Sequence, residues 1–381
     1  MRTVASRPVP IGVRRRSDTI FRLYMSKILK IGLIGTGGIA RSCHIPGYQS
    51  IPDQCEIIWA CDVDEALATK VAAEHGIPKV TANYHDVLDD PTVDAVSITT
   101  PNKYHYKPTM DAFAAGKHVL CEKPLAMNGV EARQMCRAAR DAGKILQVGL
   151  HLRFGGNARF LRDYIDAGHM GDIYYARAQA LRRRGVPAWG VFIDKEQQGG
   201  GPLIDIGVHI LDFTLFLMGY PKPVSVSGKT FDALGKNPDL FNFWGDYDRK
   251  QFTVEDFAVA FVRFDNGAVI TLESSFMANH DKNEEWKTQI YGTKAGASCS
   301  PWGSDVSISL EQDKQLFTLK PDNLPEVQSA HTAEIQAFVQ AIQLGKPSPV
   351  PGEHGLILNA IFDAIYRSSE SGKEQQVDVT F

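Results

Sequence analysis

Residues 28–149 alternate apolar runs with amphipathic ones, and no other feature restricts the fold as much. Ile28–Ile34, Ile57–Cys61, Ala95–Thr99, His118–Cys121 and Ile145–Val148 read as strands, with a short one at Val80 and Thr81. Helical stretches separate them: one running to Tyr48, then Asp64–His75, Tyr84–Leu88, Tyr106–Ala115 and Ala132–Ala142. The strands show no polar alternation, so both faces must be covered. In a β-α repeat that predicts a parallel, doubly wound sheet over residues 28–150.

Beyond His151 the texture changes. A helix at Gly156–Ala167 precedes Ile173–Leu181, Val224–Lys229, Val254–Phe264, Gly267–Phe276, Thr288–Tyr291 and Val306–Ser309, all of which alternate apolar with polar residues. That is the pattern of a sheet with one packed and one free face. Residues 151–381 are therefore expected to form an α+β domain on an open, largely antiparallel sheet. Helices are expected at Thr332–Leu344 and Leu356–Ser369, with a last strand at Gln376–Phe381. A sheet with an uncovered face calls for a partner, so a homo-oligomer, dimer or tetramer, is expected.

The first strand runs into Gly35-Thr36-Gly37-Gly38-Ile39-Ala40, which fits G-x-G-x-x-A between a strand and a helix. The mechanics suit a dinucleotide. Gly35 permits the turn, Gly37 lets backbone N–H groups approach a pyrophosphate, and Ala40 lets helix and strand pack closely. The helix N-terminus then faces the anion. Asp62 ends the second strand, 27 residues after Gly35, where a carboxylate can accept from the adenosine ribose hydroxyls and repel a 2′-phosphate. With no cation at Val63 or Asp64, NAD is favoured over NADP. This is a Rossmann reading of residues 28–150.

Charge excludes some partners. The net charge is −3, but residues 1–24 carry six arginines against one acid, +5, which leaves 35 basic and 43 acidic residues, −8, on the rest. So acidic a body is not suited to phosphate backbones, and no nucleic acid is expected. No apolar run approaches the roughly 18 residues of a membrane span. Residues 1–24 read as an extension outside the fold, either disordered or preceding a working start at Met25. They lack the apolar core of a secretory signal. The six cysteines form no CxxC pair, so reduced thiols, a cytoplasmic location and no metal site are expected.

Two further motifs carry chemistry. Cys121-Glu122-Lys123-Pro124 closes the fifth strand, where open α/β sheets bind ligands. Gly199-Gly200-Gly201-Pro202-Leu203-Ile204-Asp205-Ile206-Gly207-Val208-His209 places Asp205 and His209 at i and i+4 of a helix opened by Pro202. Its glycines are read as room for a ligand at the helix start. A histidine there suits proton transfer near neutrality.

GLIGTGGIA, TTPNKYH (Thr99–His105), CEKP and GGGPLIDIGVH, in this order, resemble the Gfo/Idh/MocA oxidoreductase family, which includes glucose–fructose oxidoreductase and inositol dehydrogenases. The resemblance runs from Lys30 to the C-terminus. It implies that Lys123, Asp205 and His209 are the catalytic set. It also implies that Thr100, Pro101, Asn102, His105 and Glu122 line the dinucleotide site with Gly35–Ile39 and Asp62. The reaction it implies is hydride transfer between a carbinol of a sugar, sugar derivative or cyclitol and NAD. His209 would be the base, Lys123 would bind the reacting oxygen, and Asp205 would orient His209 or bind the adjacent hydroxyl. His151 and Arg153 border the expected cleft, Trp189 could stack on a sugar face, and Arg182–Arg184 could bind an anion. Two alternatives stand beside this reading: an NAD-dependent glycoside-cleaving enzyme that oxidises its sugar transiently, and a non-enzymatic dinucleotide sensor.

Overall fold

The computed structural model describes residues 27–380, so the expectations on residues 1–24 and on a start at Met25 lie outside the described residues. Strands β1 (Leu29–Ile34), β2 (Cys55–Cys61), β3 (Lys79–Thr81), β4 (Ala95–Ile98), β5 (His118–Cys121) and β6 (Leu146–Val148) form an all-parallel sheet in the order β3-β2-β1-β4-β5-β6. The order reverses between β1 and β4, which opens a crevice at their carboxyl ends. Consecutive residues point into different cores. Ile57, Ala95 and Leu120 face one, and Ile58, Val96 and Val119 the other. Burial on both sides is why these strands read as unbroken apolar runs.

One of those cores is completed from the far end of the chain. Ile335, Phe338 and Val339, on helix Ala330–Leu344, pack with Ile31, Leu33, Ile45 and Val71. The 150/151 division in the sequence is therefore not a division in packing. Side-chain caps fix several helix starts: Asp64 accepts from Leu67 N, Asn128 from Glu131 N, and Ser329 from Thr332 N. The Asn128 cap starts its helix at Gly129 rather than Ala132.

The second sheet holds β7 (Ile173–Arg182), β8 (Pro223–Phe231), β9 (Phe257–Phe264), β10 (Val269–Ser275), β11 (Glu284–Gly292), β12 (Ala295–Cys299), β13 (Val306–Gln312), β14 (Gln315–Leu319) and β15 (Gln375–Gln376). Their order is β14-β13-β12-β11-β7-β10-β9-β8-β15, antiparallel except for β7 with β10. Ala176, Ala178 and Ala180 of β7 are fully buried, and their small side chains admit helix Val208–Met218 against β7 and β11. The stretch 195–218 is long and apolar enough to cross a membrane by length and composition, yet 78% of its most apolar window is buried in this core. The last strand is shorter than expected, pairing only at Gln375 and Gln376.

Candidate active site

The glycine loop lies at the carboxyl end of β1. Gly35 has φ +97°, and a Cβ there would come within 2.8 Å of the Thr99 carbonyl carbon, so turn and packing both demand glycine. At Gly37 and Gly38 a Cβ would meet nothing within 4 Å, so the loop faces open space. That space is a cleft of about 620 Å³, lined among others by Gly37, Asp62, Thr100 and Pro101. Asp62 Oδ2 accepts from Thr36 N at 2.8 Å and Thr36 Oγ1 at 3.0 Å, and Oδ1 from Asp64 N at 3.1 Å. Three of a carboxylate's four or so acceptor positions are thus used, leaving Oδ1 able to take another hydroxyl. Open backbone, a helix start and an acidic rim fit a dinucleotide.

The helix after this loop begins with a π-helical turn, Ala40–His44, that carries His44 into the interior. His44 Nε2 lies 2.8 Å from Glu122 Oε1, and Nδ1 lies 2.9 Å from Ser97 Oγ. Burial pushes the Glu122 carboxyl up, but the His44 bond and the charges of Lys123 and His331 outweigh it, bringing it down to about 2. Glu122 also accepts from Lys123 N at 3.1 Å, so it braces the strand end on which Lys123 stands. The Lys123–Pro124 peptide bond is cis.

Lys123 Nζ donates to Asp205 Oδ1 at 3.0 Å and to Asp205 O at 3.1 Å. Asp205 lies on a second π-helical turn, Leu203–Gly207, just before helix Val208–Met218, and such bulges are frequent at functional sites. Its other carboxylate oxygen lies 3.8 Å from Arg182 Nη1 at the end of β7. Asp205 therefore engages Lys123 and Arg182; of the two roles expected for it, the structure shows no bond that would orient His209, and the one to a substrate hydroxyl stays open. Among the described residues His209 Nδ1 is buried with no hydrogen-bond partner. Desolvation first, then the Lys123 charge, holds the His209 imidazole well below its ordinary value, in the neutral form that can accept a proton.

His151 faces His209 edge-on, with ring centroids 5.1 Å apart at 68°. Behind it His331 stacks at 3.6 Å and 16°, and Trp302 lies at 5.7 Å. Among the described residues His151 Nε2 and Arg182 Nη1 are also buried without a hydrogen-bond partner. Unpaired buried polar atoms are costly in a protein interior, and three of them gather here around Lys123 and Asp205. The arrangement brings an ammonium, a carboxylate and two imidazoles together, a donor and acceptor set that suits a polyhydroxylated molecule.

Other expected residues fall elsewhere. Arg153 is buried away from the cleft: its guanidinium donates to Asp212, to Tyr220 Oη at 2.8 Å and to the Pro349 carbonyl at 3.2 Å, and lies 2.9 Å from His354 Nδ1. It is a structural clamp rather than a substrate contact. His105 is fully buried, and its ring bridges the Thr100 and Pro124 carbonyls at 2.9 and 2.8 Å, so it ties two loops together behind the dinucleotide cleft. Asn102 donates to the Gln198 carbonyl at 3.0 Å. Backbone and packing account for the glycine triplet: Gly199 has φ +85°, a Cβ at Gly200 would lie 1.9 Å from Tyr366 Oη, and one at Gly201 would lie 2.2 Å from Glu255 O. Trp189 is 56% exposed and stands beyond Trp244, itself stacked over Arg182. His44, His331 and Trp302 carried no sequence signal, because nothing local marks them.

A model of the oxidoreductase family's NAD-binding Rossmann fold matches residues 29–150, and one of its C-terminal alpha/beta domain matches residues 162–379. The chain belongs to the Gfo/Idh/MocA family. It is 36% identical over 348 residues to the D-glucoside 3-dehydrogenase of Escherichia coli (strain K12), covering 91% of this chain and 97% of the relative. It is 30% identical over 354 residues to the 1,5-anhydro-D-fructose reductase of Ensifer adhaerens, covering 91% and 98%. Among solved structures, an NAD binding oxidoreductase from Klebsiella pneumoniae superposes with a TM-score of 0.78 at 27% identity, covering 92% of this chain and all of that one. A levoglucosan dehydrogenase in complex with NADH and levoglucosan shares the fold, with a TM-score of 0.79 at 24% identity and coverage of 92% and 100%. This Gfo/Idh/MocA chain is an NAD(P)-dependent oxidoreductase of CH–OH groups with an NAD-binding Rossmann half.

Proposed function

We propose that this protein oxidises a carbinol of a sugar, sugar derivative or cyclitol with NAD, and that Lys123, Asp205 and His209 are its catalytic residues. The observation that carries the reading is the buried His209 ring, whose Nδ1 has no hydrogen-bond partner among the described residues, close to an ammonium that still has a proton to give. Lys123 spends two of its three N–H donors on Asp205, and the third is free for the reacting oxygen. Gly35, Thr36, Gly37, Gly38, Ile39, Asp62, Thr100, Pro101 and Asn102 would hold the dinucleotide, with His105 and Glu122 supporting it from behind.

NAD, when bound, supplies the hydride acceptor. His209 takes the hydroxyl proton, and its lowered basicity keeps it ready at neutral pH. Lys123 hydrogen-bonds the same oxygen and stabilises charge as it develops there. Asp205 fixes the ammonium from two directions, which makes it the positioning member of the set. His151 offers its unpaired Nε2 to a neighbouring hydroxyl.

The names of the relatives support a carbohydrate substrate. An oligomer is supported by the open face of the second sheet, where Phe261 is exposed in line with Thr271 and Arg177. All six cysteines are free, which supports a reducing compartment such as the cytoplasm. The test is a panel of aldoses, glycosides, inositols and sugar acids with NAD and with NADP, followed by NADH absorbance. Net NADH formation from at least one sugar or cyclitol is expected, and its rate should fall by about 10²-fold or more in Lys123→Met and His209→Asn. If a glycoside is hydrolysed with NAD required but no net NADH appears, the dehydrogenase reading fails.

A further inference from the structure

Four of the five tryptophans of this chain gather at one mouth of the site. Contact runs without a break from Trp189 to His151. Trp189 lies 5.7 Å from Trp244, and Trp244 lies 4.3 Å beneath the Arg182 guanidinium. Arg182 Nε and the Trp286 indole N–H both reach Glu284 Oε1, at 3.3 and 2.8 Å. Trp286 meets Trp302 edge-on at 5.6 Å, and Trp302 meets His151 at 5.7 Å.

The two ends of this arc are unusual. Trp189 is 56% and Trp302 47% exposed, although indoles normally bury most of their surface. Between them Arg182 is held by Glu284 through Nε and stands 3.8 Å from Asp205 through Nη1, while the Glu284 carboxylate is half open to solvent. Apolar faces alternating with a half-open carboxylate suit a pyranose ring, whose C–H faces stack while its hydroxyls need acceptors. An aryl group would use the indoles but bring no hydroxyl to the open Glu284 carboxylate. The reacting ring already has its partners in Lys123, His209 and His151, so the arc is surplus to a monosaccharide.

We infer that this arc is an outer subsite for a second pyranose ring, joined by a glycosidic bond to the ring being oxidised. The inference rests on the carbohydrate dehydrogenase reading and narrows its substrate to a disaccharide or longer glycoside. Trp302 and Trp244 form its stacking surfaces, and Arg182 with Glu284 reads its hydroxyls.

The experiment measures kcat/KM of the enzyme with NAD for one sugar offered as its methyl glycoside, its phenyl glycoside and a disaccharide. The disaccharide is expected to lead the methyl glycoside by roughly tenfold, through KM. Trp302→Ala and Trp244→Ala are each expected to shrink that ratio by about fivefold or more, whatever happens to the absolute rates. A disaccharide titration of tryptophan fluorescence should be saturable and lost in both variants. Equal kcat/KM for all three substrates, or a ratio that neither variant moves, overturns the subsite. A phenyl glycoside that matches the disaccharide overturns its assignment to a sugar. If no substrate reduces NAD, the dehydrogenase reading fails, and the fluorescence titration still decides the subsite on its own.

Discussion

Lys123 and Asp205, 82 residues apart in the chain, meet at 3.0 Å across the crevice, one on a strand end of the parallel sheet and the other on a π-helical turn under the second sheet. Asp205 holds the ammonium through both a carboxylate oxygen and its own carbonyl. Asp205→Asn keeps the shape and the carbonyl but removes the charge. Its kcat is expected to fall by about 10²-fold, and that of Lys123→Met by about 10²–10³-fold, the scale seen when a group that stabilises developing charge is lost. Steady-state kinetics on the best substrate checks both.

The acidic limb of the pH profile should report His209. A protonated imidazole cannot accept the hydroxyl proton, so the rate falls as pH drops through its pKa. Burial and then the Lys123 charge push that pKa well below the ordinary value of about 6.5. The limb of kcat/KM is therefore expected below pH 6.5, with no histidine loss between pH 7 and 8. In Lys123→Met the residual rate should show the limb displaced upward, because one of the depressing charges is gone. A wild-type limb at or above pH 6.5 would contradict the assignment.

Asp62 sets the cofactor. Asp62→Ala removes the acceptor for a ribose hydroxyl and frees Thr36 N and Oγ1. The expected result is about a tenfold rise in KM for NAD, the scale of one good hydrogen bond to a charged group. NADP should improve relative to NAD because the repelling carboxylate has gone. The ratio of the two kcat/KM values measures this directly.

Arg153 is a stability residue. Arg153→Ala would leave Asp212 buried and unpaired, at a cost of about 3–5 kcal/mol. Arg153→Met with Asp212→Leu should recover much of that loss, since neither charge is then stranded. Urea denaturation of the two variants, compared at equal slope, decides it.

Phe338→Ala should destabilise the parallel sheet although it lies far outside residues 28–150. Phe338 is fully buried, and truncating such a side chain costs about 3–5 kcal/mol. NAD should raise the melting temperature of the variant, because ligand bound to the folded form stabilises it.

The parallel sheet was legible because strands buried on both faces have nowhere to put a polar residue, and β1 to β6 lie where the apolar runs are. β12 was not, since Ala295-Gly296-Ala297-Ser298-Cys299 is small-residue chain with little apolar contrast. Nor was β14, which is exposed along its whole length and so carries no alternation. At the site, the motifs around Gly35, Lys123 and Asp205 stood out because each is compact in sequence. His331 and Trp302 did not, because stacking on His151 joins positions that no local spacing links. Arg153 was misplaced for a related reason: adjacency to His151 in the chain says nothing about which way each side chain turns. The π-helical turns that bring in His44 and Asp205 have no sequence mark at all.

Helix Ala330–Leu344 has a consequence for the order in which the protein can be made. The ribosome delivers the six strands of the nucleotide half early, but the core on one face of their sheet stays incomplete until Phe338 emerges. A chain released before that point would present Ile31 and Leu33 to solvent, an apolar surface open to wrong partners. The histidine that begins the helix's first turn, His331, arrives in the same step and stacks behind His151. Closing the core and finishing the wall of the site are thus one event, late in synthesis, so truncated chains gain neither.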